Sequence, residues 1–294
     1  MREKVNGFVG VMALTILCIV SGLCMVWGIA PVVLAVYVAA CAVCGRYMIT
    51  CIGCAAGVAA GSMGIAELLH ADEYMIPGSV YSGVMVTEKY LVLLGLAMCL
   101  MKIVYSRNSR AYVRVIVVVA AAVLMGNIVV YVDNMLMAAA YGVVETAIFL
   151  CASVILKPGI GLLYTYICGD ASDVEKDGSW NISQGIVSLM VLAAVVLWVV
   201  PGEDIYGVNP AFMLALVLIL YAVYRTGAVY GCGMAAVAGS IVSVKLNDSR
   251  WLMWMLLVTL VMLIGRALTG RRKVSASLFY VLGCVLASGA DGTV

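Results

Sequence analysis

Apolar runs of about bilayer-crossing length, each closed by a few polar or charged residues, repeat from one end of the chain to the other. A hydrocarbon core of about 30 Å takes about 20 helical residues, and fewer where a helix is surrounded by others. On that measure the pattern predicts helices at 7–27, 29–44, 47–66, 85–101, 112–132, 135–156, 182–200, 208–224, 226–244, 251–269 and 274–290. Val5 to Gly45 runs 41 residues without a charge, too long for a cleavable signal peptide with its short apolar core, and reads as two helices joined near Gly28-Ile29-Ala30-Pro31. The run Gly159 to Cys168 is too brief to span alone and reads as a re-entrant or interfacial piece. The expectation is an all-α, polytopic transmembrane helical bundle of about ten or eleven spans, one integral-membrane domain over residues 1–294.

Composition sharpens this. Charged residues make up 11% of the chain and apolar ones 65%, against roughly a quarter and under half in a soluble domain, and the mean hydropathy is +1.15. No water-soluble surface can be built from such a chain, so its first partner is the lipid bilayer. The net charge of +2 carries no sign of nucleic-acid binding, because the basic residues form short clusters between apolar runs rather than one basic face.

Lysine and arginine favour cytoplasmic loops. With the amino terminus (Arg2, Lys4) inside, the cytoplasmic loops carry Arg46; then Lys102, Arg107, Arg110 and Arg114; then Arg266, Arg271, Arg272 and Lys273. The outside loops carry Glu67, Asp72, Glu73, Glu88 with Lys89, Asp133, Glu203 and Asp204. Two loops depart from the pattern: 157–181, predicted inside, is mainly acidic, and 245–250, predicted outside, holds Lys245 and Arg250. The localisation expected is the cell membrane, multi-pass, with a cytoplasmic amino terminus. Eleven spans leave Val294 outside, an odd count that means either that one segment is misassigned or that the chain stops before its last helix.

Candidate chemistry is sparse. Cys41, Cys44, Cys51 and Cys54 form C-x2-C-x6-C-x2-C, a spacing a metal site could use on a tight helical hairpin. They lie within or beside apolar helices in a chain with eleven cysteines, where a thiolate is costly, so packing is the reading adopted and no metal or other cofactor is expected. Asp173-x-Glu175-x-Asp177-Gly178-x5-Gln184 imitates a calcium loop, but Gln184 stands where the closing bidentate Glu belongs; it reads as a solvated acidic loop. His70, beside Asp72 and Glu73, has no evident nucleophile. No phosphate-binding loop or nucleophile elbow occurs, so no catalytic residue is assigned and the chain is not read as an enzyme.

Ionisable residues inside a span carry a presumption of function. Glu145, near the middle of 135–156, is a proton or cation ligand on one reading and a protonated carboxyl bonded to a neighbouring helix on the other. Glu88 and Lys89 adjoin one another near a predicted helix start, which places them at the interface. Small residues at four-residue spacing let helix backbones approach closely, and two such faces occur: Gly53, Gly57 and Gly61, and Gly227, Gly231, Ala235 and Gly239.

Two stretches resemble the amino-terminal membrane domain of stage II sporulation protein E, a sporulation phosphatase family of endospore-forming Firmicutes. The first is Tyr131 to Leu156, YVDNMLMAAAYGVVETAIFLCASVIL. The second runs from Leu216 to about Gly289: an apolar helix, the small-residue helix GAVYGCGMAAVAGSIVSV, an aromatic-apolar helix, the basic break GRALTGRRK and a last small-residue helix. Outside these stretches the likeness lies in hydropathy and helix order. The resemblance implies a membrane anchor preceding a cytoplasmic regulatory region and a PPM-type serine/threonine phosphatase, acting at the polar septum in sporulation, associating with the division protein FtsZ, and releasing the first forespore sigma factor. None of that soluble region lies within the chain, which on this resemblance is a fragment whose own activity is anchoring and self-association as a homo-oligomer. The competing reading is a small secondary transporter or channel that uses Glu145, since interrupted apolar segments near mid-membrane build substrate sites.

Overall fold

The computed structural model describes residues 2–24, 31–62, 80–103, 109–132, 134–168, 182–200, 202, 209–269, 278, 279 and 281–283. Among the described residues there are ten helices and no strand: α1 (Arg2–Leu23), α2 (Pro31–Cys44), α3 (Tyr47–Ser62), α4 (Val80–Ile103), α5 (Ser109–Val130), α6 (Met135–Cys168), α7 (Ile182–Val199), α8 (Pro210–Arg225), α9 (Ala228–Lys245) and α10 (Arg250–Thr269). Of the segment expected at 274–290, residues 278, 279 and 281–283 are described and helical.

Local chemistry accounts for the helix ends. Pro31 opens α2, where its missing N–H goes unneeded and its fixed φ suits the first turn. Gly45 follows α2 at φ +66°, the left-handed conformation that ends helices most cheaply at glycine. Asn209 caps α8, its side-chain oxygen accepting from the Phe212 N–H at 2.9 Å with Pro210 next in line. Gly227, at φ +109°, turns the chain from α8 into α9.

Four helices are long and apolar enough to cross a membrane, over Arg110–Val130, Met135–Ile167, Ala228–Lys245 and Arg250–Leu268. Their outward faces are aliphatic: Val117, Val118, Met125 and Val129 on α5, Val143, Val144 and Val154 on α6, Met253, Leu256 and Leu260 on α10 are all exposed. Such faces would aggregate in water; in a bilayer they meet acyl chains. Five further helices carry shorter described apolar stretches.

Helix α1 covers Arg2–Leu23 rather than 7–27, and two further boundary differences bear on the site. Helix α4 begins at Val80 rather than 85, so residues 88 and 89 lie well inside it. Helix α6 does not stop at 156; it continues through Pro158 to Cys168, and the run expected to be a separate re-entrant piece is its last three turns. Proline removes a helical donor and usually breaks a helix. Here the Ser188 hydroxyl of α7 accepts from the Gly159 N–H at 2.8 Å and donates to the Leu156 carbonyl at 3.2 Å, tying the disturbed turn to its neighbour.

The chain forms two compact units, Met1–Val195 and Val196–Val294. In the first, α2 is the axis: it packs on α1, α3, α4 and α6, and every residue from Val33 to Cys41 is buried. A helix apolar on all sides needs apolar partners on all sides. Helices α1 and α3 approach through glycine. A Cβ on Gly22 would stand 2.7 Å from the Gly57 carbonyl carbon and the Val58 nitrogen, and one on Gly53 would stand 3.1 Å from Thr15. Gly61, one turn beyond Gly57, is buried.

In the second unit α9 packs on both α8 and α10. Gly231 faces Val223 of α8, where a Cβ would come within 2.6 Å of a valine methyl; Gly239 faces Leu252 and Met255 of α10; and Ala235 is buried between them. Gly53 and Gly57 of the first row, and Gly231 and Gly239 of the second, therefore face helices of the same chain.

Gly22→Ala should lower stability by about 1–3 kcal/mol, because the facing backbone of α3 blocks the added methyl. Gly95→Ala, where nothing lies within 4 Å, should be neutral or stabilising by up to about 1 kcal/mol from helix propensity. Thermal unfolding in mild detergent compares the two; equal losses would remove the close-approach account.

Candidate functional site

A polar cluster is sealed between α4, α5 and α6 of the first unit. Lys89 and Tyr90 come from α4, Asn127 from α5 and Glu145 from α6; Glu145 and Asn127 are 0% exposed and Lys89 is 7% exposed. The Lys89 ammonium donates to both Glu145 oxygens at 2.9 Å and to Asn127 Oδ1 at 3.2 Å. Tyr90 donates its hydroxyl to Glu145 Oε1 at 3.0 Å, and Asn127 Nδ2 donates to Glu145 Oε2 at 2.8 Å and to the Val123 carbonyl at 3.0 Å. The ammonium thus has three acceptors, and the carboxylate receives four hydrogen bonds, close to what each group can make. Lys89 Nζ also lies 4.7 Å from the Tyr90 ring centroid, within cation–π range.

Glycine makes the room. A Cβ on Gly126 would stand 3.2 Å from the Lys89 stem, so the bare backbone of α5 gives the lysine its channel, and Gly142, one turn before Glu145, lets Leu124 and Asn127 close on α6. Tyr131 and Tyr141 stack at 5.1 Å where α5 turns into α6.

Helix rise gives the depth. Tyr112 of α5 and Lys157 of α6 meet near one end of the layer, with Nζ 4.6 Å from the ring centroid, and Lys102 closes α4 at the same end. From that end the cluster lies 13 residues away along α4 (Lys102 to Lys89), 15 along α5 (Tyr112 to Asn127) and 12 along α6 (Lys157 to Glu145). At 1.5 Å per residue each path is roughly 18–22 Å, so the three helices bring these side chains to one level of the layer.

The interfacial expectation for Lys89 is therefore corrected: with α4 starting at Val80, Lys89 turns inward while Glu88, about 100° around the helix, is exposed. Glu145 is bonded to both neighbouring helices, to Lys89 and Tyr90 of α4 and to Asn127 of α5. Beside it, the Thr146 hydroxyl is buried without a hydrogen-bond partner among the described residues.

The other candidates separate. Cys41 shares a hydrogen bond with Thr50 at 3.2 Å and Cys54 lies 3.9 Å from the Val33 carbonyl, while Cys44 and Cys51 are half-buried on α2 and α3. Among the described residues no three His, Cys, Asp or Glu side chains converge as a metal ion would require. Asp173, Glu175, Asp177, Gly178 and His70 lie outside the described residues; Gln184 is exposed in the first turn of α7. A hollow of about 330 Å³ between α6 and α7 is lined by Val154, Ile155, Pro158, Ser183, Gln184 and Val187, none of which belongs to the polar cluster.

In the second unit, Arg250 holds the half-buried Asp248 carboxyl below its usual range through a hydrogen bond from its side chain, seconded by its backbone N–H at 2.9 Å. Next to that turn Phe212, Trp251 and Trp254 pack edge to face at 4.7 and 5.1 Å, the kind of aromatic group found at membrane–water interfaces.

Sequence reasoning singled out Glu145, set Lys89 at the interface, and did not bring in Tyr90 or Asn127. A usable signal was present: a lysine and a glutamate both embedded in apolar helices are each affordable only if they pair. No protein-family model, curated protein or solved structure matches the chain.

Glu145→Gln or Lys89→Met alone should each cost about 3–5 kcal/mol, because each strands a buried charge or its partners. The double variant Lys89→Met/Glu145→Gln should recover most of that loss, in a double-mutant cycle read by unfolding in mild detergent. Additive losses would mean that the pair is not the unit that matters.

Proposed function

We propose that the chain is a non-catalytic membrane anchor and self-association module. The observation that carries this reading is the saturation of Glu145: the carboxylate within apolar α6 that a transporter would keep open to solute or proton is bonded to Lys89, Tyr90 and Asn127. A carboxylate so engaged ties helices together. The described apolar helices, with aliphatic outer faces and a central helix buried on all sides, are what an anchor needs.

The resemblance to the membrane domain of stage II sporulation protein E adds the rest of the proposal. Such an anchor would place a cytoplasmic PPM-type phosphatase at the sporulation septum, with the division protein FtsZ as a partner and the amino terminus in the cytoplasm. Gly53, Gly57, Gly231 and Gly239 pack within the chain, so self-association would fall on the outward aliphatic faces rather than on these glycine rows.

A fluorescent fusion of residues 1–294 in sporulating cells should concentrate at the polar septum, and the purified protein should migrate in mild detergent as more than one chain. Uniform membrane fluorescence together with a monomeric detergent particle would overturn the reading. A second reading, a proton-coupled transporter, draws on the same cluster, because Lys, Glu, Tyr and Asn buried in a membrane are also the materials of a proton relay. It requires a solute or proton flux into proteoliposomes that Glu145→Gln abolishes; absence of flux, or flux untouched by that substitution, counts against it.

A further inference from the structure

We propose that α4 is a conditional transmembrane helix, locked across the bilayer by the Lys89–Glu145 pair only after α6 is in place. The charges of α4 divide it badly for crossing alone. Between Lys89 and Lys102 lie twelve uncharged residues, Tyr90 to Met101, about 18 Å of helix against a core of about 30 Å. The remainder of the helix, Val80 to Thr87, is separated from that run by Glu88 and Lys89. To span, α4 must carry Lys89 into hydrocarbon. Helices α5 and α6 are both among the four that are long and apolar enough to cross a membrane, α6 even with Glu145 within it.

The partner that neutralises Lys89 comes later in the chain. Glu145 follows it by 56 residues, with all of α5 between them. At about 5–20 residues per second, roughly 3–11 s of synthesis separate the two charges. During that interval Lys89 has neither Glu145 nor Asn127, and α4 lies shallow, its lysine reaching the headgroups. Arrival of the α5–α6 hairpin supplies three acceptors at one point, the glycine channel at Gly126 admits the lysine stem, and α4 moves to its final depth. Tyr90, Leu93, Leu94, Ala97 and Met101 are then buried, and α4 packs on α2, α3 and α5. The ion pair is thus a topological lock as well as a packing contact. This inference concerns how the bundle is completed and holds whether the finished protein anchors or transports.

The test uses the full chain carrying a short glycosylation-acceptor reporter inserted either within 63–79 or within 104–108, read after synthesis into microsomes. In the unsubstituted chain the two reporters should lie on opposite sides. Glu145→Leu should shift the ratio of spanning to non-spanning α4 by roughly a hundredfold, the penalty for an uncompensated lysine near mid-membrane, and put both reporters on one side. Lys89→Leu/Glu145→Leu should restore opposite sides, as should the exchange Lys89→Glu/Glu145→Lys. A pair that served packing alone would leave the reporters on opposite sides in Glu145→Leu. That result, or failure of the double leucine variant to restore them, overturns the inference; because sidedness is read directly on newly made chains, a variant that packs poorly still gives an answer.

Discussion

Hydrocarbon offers a buried charge no water, so every charge taken into it must be answered by the protein itself. The first unit meets this constraint at one point, where Lys89, Tyr90, Asn127 and Glu145 answer one another across three helices. The geometry of the layer follows from that meeting. Asn127 and Glu145 set the register between α5 and α6, Lys89 sets the depth of α4, and the glycines at 126 and 142 allow the approach. Tight packing elsewhere could be shared among many side chains, but a sealed ion pair tolerates few alternatives, because a slip of one turn would leave a charge without a partner.

The same constraint applies to the backbone. Where a helix is disturbed or ends inside the apolar region, a side chain from another helix takes up the freed groups. Ser188 does this for the turn at Pro158. In the second unit, Lys245 donates to the Val200 carbonyl and Arg266 to the Val223 carbonyl, each satisfying an acceptor at the carboxyl end of a helix, where positive charge also suits the helix dipole. Basic residues in this chain therefore serve two ends: they mark loops, and they finish helices.

Packing without a hydrophobic driving force explains the use of small residues. Lipid tails are as apolar as leucine, so helices associate through close contact and hydrogen bonds. The α1–α3 contact is made backbone to backbone through Gly22, Gly53 and Gly57, and the α9 contacts through Gly231 and Gly239. With those contacts made, the exposed faces of the described helices are largely aliphatic and suited to lipid.

Much of this was legible in the order of residues. The spacing of charges marked nearly every helix, because a bilayer has a fixed thickness and an uncharged helix must match it. Glu145 stood out for the same reason, as a charge where none is cheap. The glycine periodicities announced close contacts but not their partners, since a row on one helix does not say which helix covers it. Sequence also misplaced two features. Proline at 158 signals an end, yet α6 passes through it because Ser188, far along the chain, repairs the turn. Lys89 looked interfacial because its partners, Asn127 and Glu145, lie 38 and 56 residues away. The chain by itself determined that these segments are helices in a membrane, since that depends on composition and length. Which charge meets which was decided only by the tertiary structure, because pairing depends on how three separately written helices align.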